Sequence, residues 1–71
     1  MSARWVVAPE VLPVLEAFAR GLSTAEAAAE LGLSAEAVRE HLRAAMEALG
    51  AGSRFEALIK AYRAGLVDLG G

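Results

Sequence analysis

Arg39 and Arg43 stand four residues apart with Glu40 between them, and on a helix that spacing sets the two guanidinium groups one turn apart on one side. A guanidinium fork matches the O6 and N7 acceptors of guanine in a major groove. A carboxylate matches the N4 amino donor of cytosine, and each good contact of this kind is worth about 1 to 3 kcal/mol. Arg39, Glu40 and Arg43 are therefore candidate readers of base edges. The same segment also has a plainer reading. Glu36 with Arg39, Glu40 with Arg43 and Arg43 with Glu47 are opposite charges at helix-pairing distance, which equally describes a solvated face of surface ion pairs. Three glutamates against two arginines leave that face slightly acidic, and acidity repels phosphates. The residues by themselves leave both readings open.

Little else in the chain has the chemistry of a reactive site. There is no cysteine and a single histidine, His41, so disulfides and the common four-ligand zinc sites are excluded, and no cofactor is expected. Ser23 precedes Glu26 by three residues, and Ser53 precedes Glu56 by the same interval. That is the spacing of a capping box, in which the hydroxyl accepts from the third helical N–H and the carboxylate reaches back. Ser34 stands where a third helix begins and reads as its cap. The serines are caps before they are nucleophiles, and with no paired base for them the chain reads as a non-enzyme. His41 falls at the edge of an apolar face, where a packed or capping role outweighs a catalytic one and a phosphate contact is open to it.

These side chains need elements to hold them, and periodicity predicts four helices over about 9–20, 24–31, 35–48 and 54–65. Pro9 suits a helix start and Gly21 its exit, whereas Pro13 lies beyond the first turn and favours a later start near Leu12. The second helix opens on the Ser23 box and leaves through Gly32; Leu33 and Ser34 then lead into the third. A short helix, a tight glycine-containing turn and a longer helix make the helix-turn-helix pattern, whose second member can enter a major groove. At 100° per residue Val38, Leu42, Ala45 and Leu49 gather on one side of the third helix, and Arg39, Glu40 and Arg43 on the other.

The fourth helix carries two apolar sets. Phe55, Leu58, Ile59, Tyr62 and Leu66 are expected to close the core. Ala57, Ala61 and Ala64 form a small-residue stripe on another side, with Lys60 at its border. That stripe is expected to be the contact of a homodimer, because small side chains let helices approach closely.

A chain of 71 residues with a net charge of −2 and two prolines can build one core and no more, and it is marginal alone. With metals and disulfides excluded, self-association remains as the source of extra burial. The acidity argues against a generic nucleic-acid coat. No apolar run approaches a membrane span, residues 1–7 read as an N-terminal arm without signal-peptide features, and a cytoplasmic location is expected.

The run from Gly21 to Glu26, then Ala28 to Ser34, then Val38, Arg39, Glu40, His41 and Leu42 resembles the LuxR-type (NarL/FixJ) helix-turn-helix DNA-binding family. The likeness continues through Leu49 and Gly50, Arg54, Ala57 and the closing Ala64 to Val67, so it spans nearly the whole chain as a stand-alone domain. It implies a four-helix, all-α domain that binds double-stranded DNA as a dimer, with the third helix in the major groove and the fourth at the subunit contact. Carried over residue by residue, it places DNA contacts at Arg39, Glu40, His41 and Arg43. The chain departs from the family pattern at Ala37 and Ala48, where threonine and a basic residue are usual, and at Glu10, Val11 and Pro13 in the first helix.

The leading expectation is a sequence-specific, dimeric transcription regulator with no small-molecule ligand. The alternative is an interaction module that has lost DNA affinity and pairs with other regulators through helix 54–65. Salt dependence separates them, since phosphate contacts weaken log-linearly with salt and an apolar helix contact does not.

Overall fold

The computed structural model describes residues 9–68; the expected arm at 1–7 lies outside the described residues. Among the described residues four α-helices follow a 3-10 turn at Pro9–Val11: α1 Leu12–Ala19, α2 Thr24–Leu31, α3 Ala35–Leu49 and α4 Arg54–Arg63. There is no strand among the described residues, and the class is all-α. The first helix is shorter than the 9–20 span read from periodicity. Pro13 explains the difference, because it occupies the second position of α1, where a missing N–H deprives the helix of nothing. The three residues before it wind more tightly instead.

The starts of α2, α3 and α4 rest on hydroxyls, whereas α1 follows Val11 with no side-chain cap. Ser23 Oγ accepts from the Glu26 amide at 3.1 Å while the Glu26 carboxylate accepts from the Ser23 amide at 2.8 Å, which is the complete reciprocal box. Ser34 Oγ accepts from the Ala37 amide at 3.0 Å. The third cap differs from expectation in one detail. Ser53 Oγ accepts from the Glu56 amide at 3.1 Å, but the Glu56 carboxylate reaches past Ser53 to the Gly52 amide at 2.8 Å.

Two glycines set the turns that matter for the third helix. Gly32 closes α2 at φ +69° and Gly50 closes α3 at φ +66°, left-handed conformations that cost an L-residue roughly 1 to 2 kcal/mol. Beyond Gly32 the Leu33 amide returns to the Ala28 carbonyl at 2.9 Å, and beyond Gly50 the Ala51 amide returns to Met46 at 2.8 Å. These bonds satisfy carbonyls left open at the helix ends and turn the chain sharply. The fourth helix stops at Arg63, two residues short of expectation, and its last turn is closed by Leu66 donating to the Ala61 carbonyl at 2.9 Å.

The core is built from α1 outward. Val14, Leu15, Ala17 and Phe18 are buried on this one short helix, and they feed two apolar clusters. One gathers Val11, Leu15, Ala45, Ala61 and Val67. The other gathers Val14, Phe18, Ala27, Ala28 and Val38 with Ala17, and Leu42 and Leu58 pack against both. Among the described residues, Leu15, Val14 and Val38 are the large side chains buried completely. Much of the remaining buried set is alanine, so the helices owe their contacts to close approach of backbones as much as to bulky side chains. No polar or charged residue is buried among the described residues.

The fourth helix meets the expected assignment of faces only in part: Leu58 and Leu66 pack against the core as expected, but the aromatic and alanine positions are exchanged. Ala57 and Ala61 are fully buried at 0% exposure, whereas Phe55 and Tyr62, expected in the core, are 73% and 52% exposed. Ala64 is half-buried, as are Leu58, Ile59 and Leu66. The physical reason is packing: Ala57 and Ala61 bring their methyl groups against the core beside Leu58, and the larger aromatic rings of Phe55 and Tyr62 are left outside. The exposed alanine stripe proposed as a subunit contact therefore does not exist as a surface.

Candidate nucleic-acid interface

The turn at Gly32, Leu33 and Ser34 delivers α3 with its apolar side inward. Val38 and Ala45 are buried at 0% exposure, and Leu42 and Leu49 are half-buried against the core. Helical geometry then dictates what faces away. Glu36, Arg39, Glu40, Arg43 and Glu47 are all exposed, as the sequence predicts, and His41 is half-buried on the flank. Leu33, in the turn itself, is also exposed.

One of the three possible ion pairs on this face forms. Arg43 Nη2 donates to Glu40 Oε1 at 2.6 Å, with the two side chains 65% and 63% exposed. Arg39 has no carboxylate partner among the described residues. Its charge therefore stands open to solvent, while that of Arg43 is engaged by its neighbour one turn back. The face brings together Arg39, Glu40 and Arg43; His41 borders them from the side.

Of the residues expected at a subunit contact, Lys60 has a different task. Its Nζ donates to the Gly50 carbonyl at 2.9 Å and lies 3.6 Å from Glu56 Oε2. It thus caps the C-terminal end of α3 from α4, a site where a cation is favoured by the helix dipole. The Glu56 carboxyl is held below the usual range, first by the Gly52 N–H it accepts and then by the charge of Lys60. Together Glu56 and Lys60 tie the 50–53 connection to α4.

Two basic residues outside α3 take structural positions that local spacing does not announce. Arg54 lays its guanidinium over the Phe18 ring, 4.8 Å from the centroid, joining the start of α4 to α1. Arg20, just past α1, is bonded to Glu30 of α2, and this carboxylate raises the arginine's pKa by hydrogen bond and by charge. The only sequence signal for either is the presence of an unpaired basic residue beside a cap or a glycine exit. No helix among the described residues is long and apolar enough to cross a membrane.

Comparison with known proteins supplies the context for this geometry. Residues 12–61, which run from the first residue of α1 almost to the end of α4, match the luxR family of bacterial regulatory proteins. Over 54 residues the chain is 46% identical to the HTH-type transcriptional activator RamA of Corynebacterium glutamicum, an alignment covering 76% of this chain and 19% of that protein. The chain thus spans about a fifth of the length of this relative. The matched stretch includes both helices of the turn motif and the whole outward face of α3. The chain belongs to the luxR family of bacterial regulatory proteins.

Proposed function

We propose that the chain is a sequence-specific DNA-binding module of transcription regulation, and that it reads the major groove of duplex DNA with α3. The observation that carries this reading is the exposed set Arg39, Glu40 and Arg43 on the helix after the Gly32 turn, within the stretch matched by a family of regulators. The two guanidinium groups address guanine edges, Glu40 addresses an amino-bearing base, and His41, half-buried on the flank of that face, is left for a phosphate contact. The direct test is Arg39→Ala combined with Arg43→Ala. Affinity for a duplex enriched from a random library should fall at least tenfold at moderate salt, measured by fluorescence anisotropy, with the circular dichroism of the helices retained. Unchanged affinity would remove both arginines from the interface.

The same reading makes the DNA-bound form a homodimer, with two copies of α3 in half-sites about 34 to 36 Å apart. The contact surface is the outer side of α4, where Phe55 and Tyr62 are exposed and Ile59 lies half-buried between them. Charge favours a second copy as the occupant. Glu56 and Arg63 flank this stripe on one side, and two antiparallel α4 helices related by a two-fold axis near Ile59 bring Glu56 of one copy beside Arg63 of the other. A core with so few large buried side chains gains from that extra burial.

A further inference from the structure

We infer that Glu40 is a specificity-determining residue that acts through Arg43: the two side chains form one reading unit, which opens only on a guanine flanked by an amino-bearing base. The inference rests on the DNA-binding reading and extends it to the division of labour on α3. In the free protein the Arg43 guanidinium is already spent on Glu40, at 2.6 Å. Arg39 has no such partner among the described residues. The two arginines are therefore not equivalent, although their spacing makes them look so.

The pair is exposed on both sides, and exposed ion pairs are worth between nothing and about 1 kcal/mol. Separating it is therefore cheap, provided that each partner is re-engaged. On a matching step the Arg43 fork moves to guanine O6 and N7, and the carboxylate left behind accepts from cytosine N4 or adenine N6 on a neighbouring pair. On a mismatched step the carboxylate faces thymine O4 or guanine O6, acceptors against an acceptor, and in a groove already lined by phosphates. Glu36 and Glu47 share the face and add to the repulsion. Arg39, with no such partner among the described residues, addresses its own guanine without first giving up an ion pair. Discrimination then comes from the penalty on wrong sites as much as from the gain on right ones.

Random-duplex selection with the intact chain, Glu40→Ala, and Glu40→Ala in an Arg43→Ala background tests this. Position 40 is on the solvent side of a helix, and circular dichroism verifies that each variant folds. The wild type should enrich a motif with a guanine beside an amino-bearing base. Glu40→Ala should bind unselected duplex several-fold more tightly, and its preference at those two adjacent positions should fall by fivefold or more, with the rest of the motif kept. Once Arg43 is gone, Glu40→Ala should no longer change the guanine preference. The inference is overturned if wild type and Glu40→Ala enrich the same motif with equal discrimination, or if Glu40→Ala still changes the guanine preference in the Arg43→Ala background. Failure of the wild type to enrich any motif would instead overturn the DNA-binding reading on which it stands.

Discussion

At the scale of single residues, the chain's most legible statements are its caps. Each couples a side chain to the amide three residues on, so no tertiary information is needed to read it, and Ser23, Ser34 and Ser53 all accept where spacing places them. Ser34 bears the most directly on the interface because it starts α3. Ser34→Ala should cost about 0.5 to 2 kcal/mol, which lowers the thermal midpoint by about 4 to 8 °C per kcal/mol in a domain of this size. A melt superimposable on wild type would contradict its capping role. Glu56 makes a pH-dependent contribution. Its carboxyl titrates lower in the folded chain than in the unfolded one, because Gly52 N–H and then Lys60 favour the anion. The resulting stabilisation is present above the unfolded-state value for glutamate, about 4.3, and is lost as the pH falls through the folded value. Glu56→Gln should accordingly be less stable than wild type near pH 7, and the gap should close on acidification below about pH 4. A gap independent of pH, followed by thermal melts across that range, would assign the loss to something other than the carboxylate's charge.

At the scale of elements, the orientation of α3 is readable in the sequence, whereas for α4 only the span and its cap are. The third helix has a strong apolar side and a charged side, so its orientation follows from amphipathicity alone, and the exposed set matches the expected one. The fourth has two apolar sides, and hydrophobicity favours the aromatic one for the core. What decides the matter is the packing against the neighbouring helices, a property of the assembled fold, and it admits Ala57 and Ala61 in place of Phe55 and Tyr62. The cation–π contact of Arg54 with Phe18 and the Arg20 bond to Glu30 are likewise invisible locally, since they join separate helices. The corrected assignment makes opposite predictions for the two sides of α4. Ala61→Leu should destabilise the monomer by about 1 to 3 kcal/mol through overpacking. Phe55→Ser together with Tyr62→Ser should leave the helical signal intact and abolish self-association in sedimentation velocity over a wide concentration range. A wild-type chain that stays monomeric throughout, or a double variant that still associates, would remove this face from the dimer.

At the scale of the whole molecule, an acidic chain of net charge −2 presents DNA with a face on which glutamates outnumber arginines. Affinity must therefore come from a few well-placed contacts rather than from a general positive field. The fold suits that requirement. A small alanine-rich core holds α3 by its inner side, the glycine turns fix both of its ends, and Lys60 ties the Gly50 carbonyl that caps it to α4. The proposed dimer would pair two such modules through α4, since one copy offers a single α3. The competing account, in which the same fold serves only to pair with other regulators, predicts a contact that salt barely touches. The measurement that separates them most directly is a salt titration of the intact chain on a duplex enriched from a random library, beside a scrambled duplex of equal length. The predicted result is a log-linear loss of affinity with salt, with slope near −0.9 per phosphate neutralised, and clear preference for the enriched duplex at every salt concentration. Binding that is indifferent to salt, or equal on the two duplexes, would contradict the claim that this chain reads DNA.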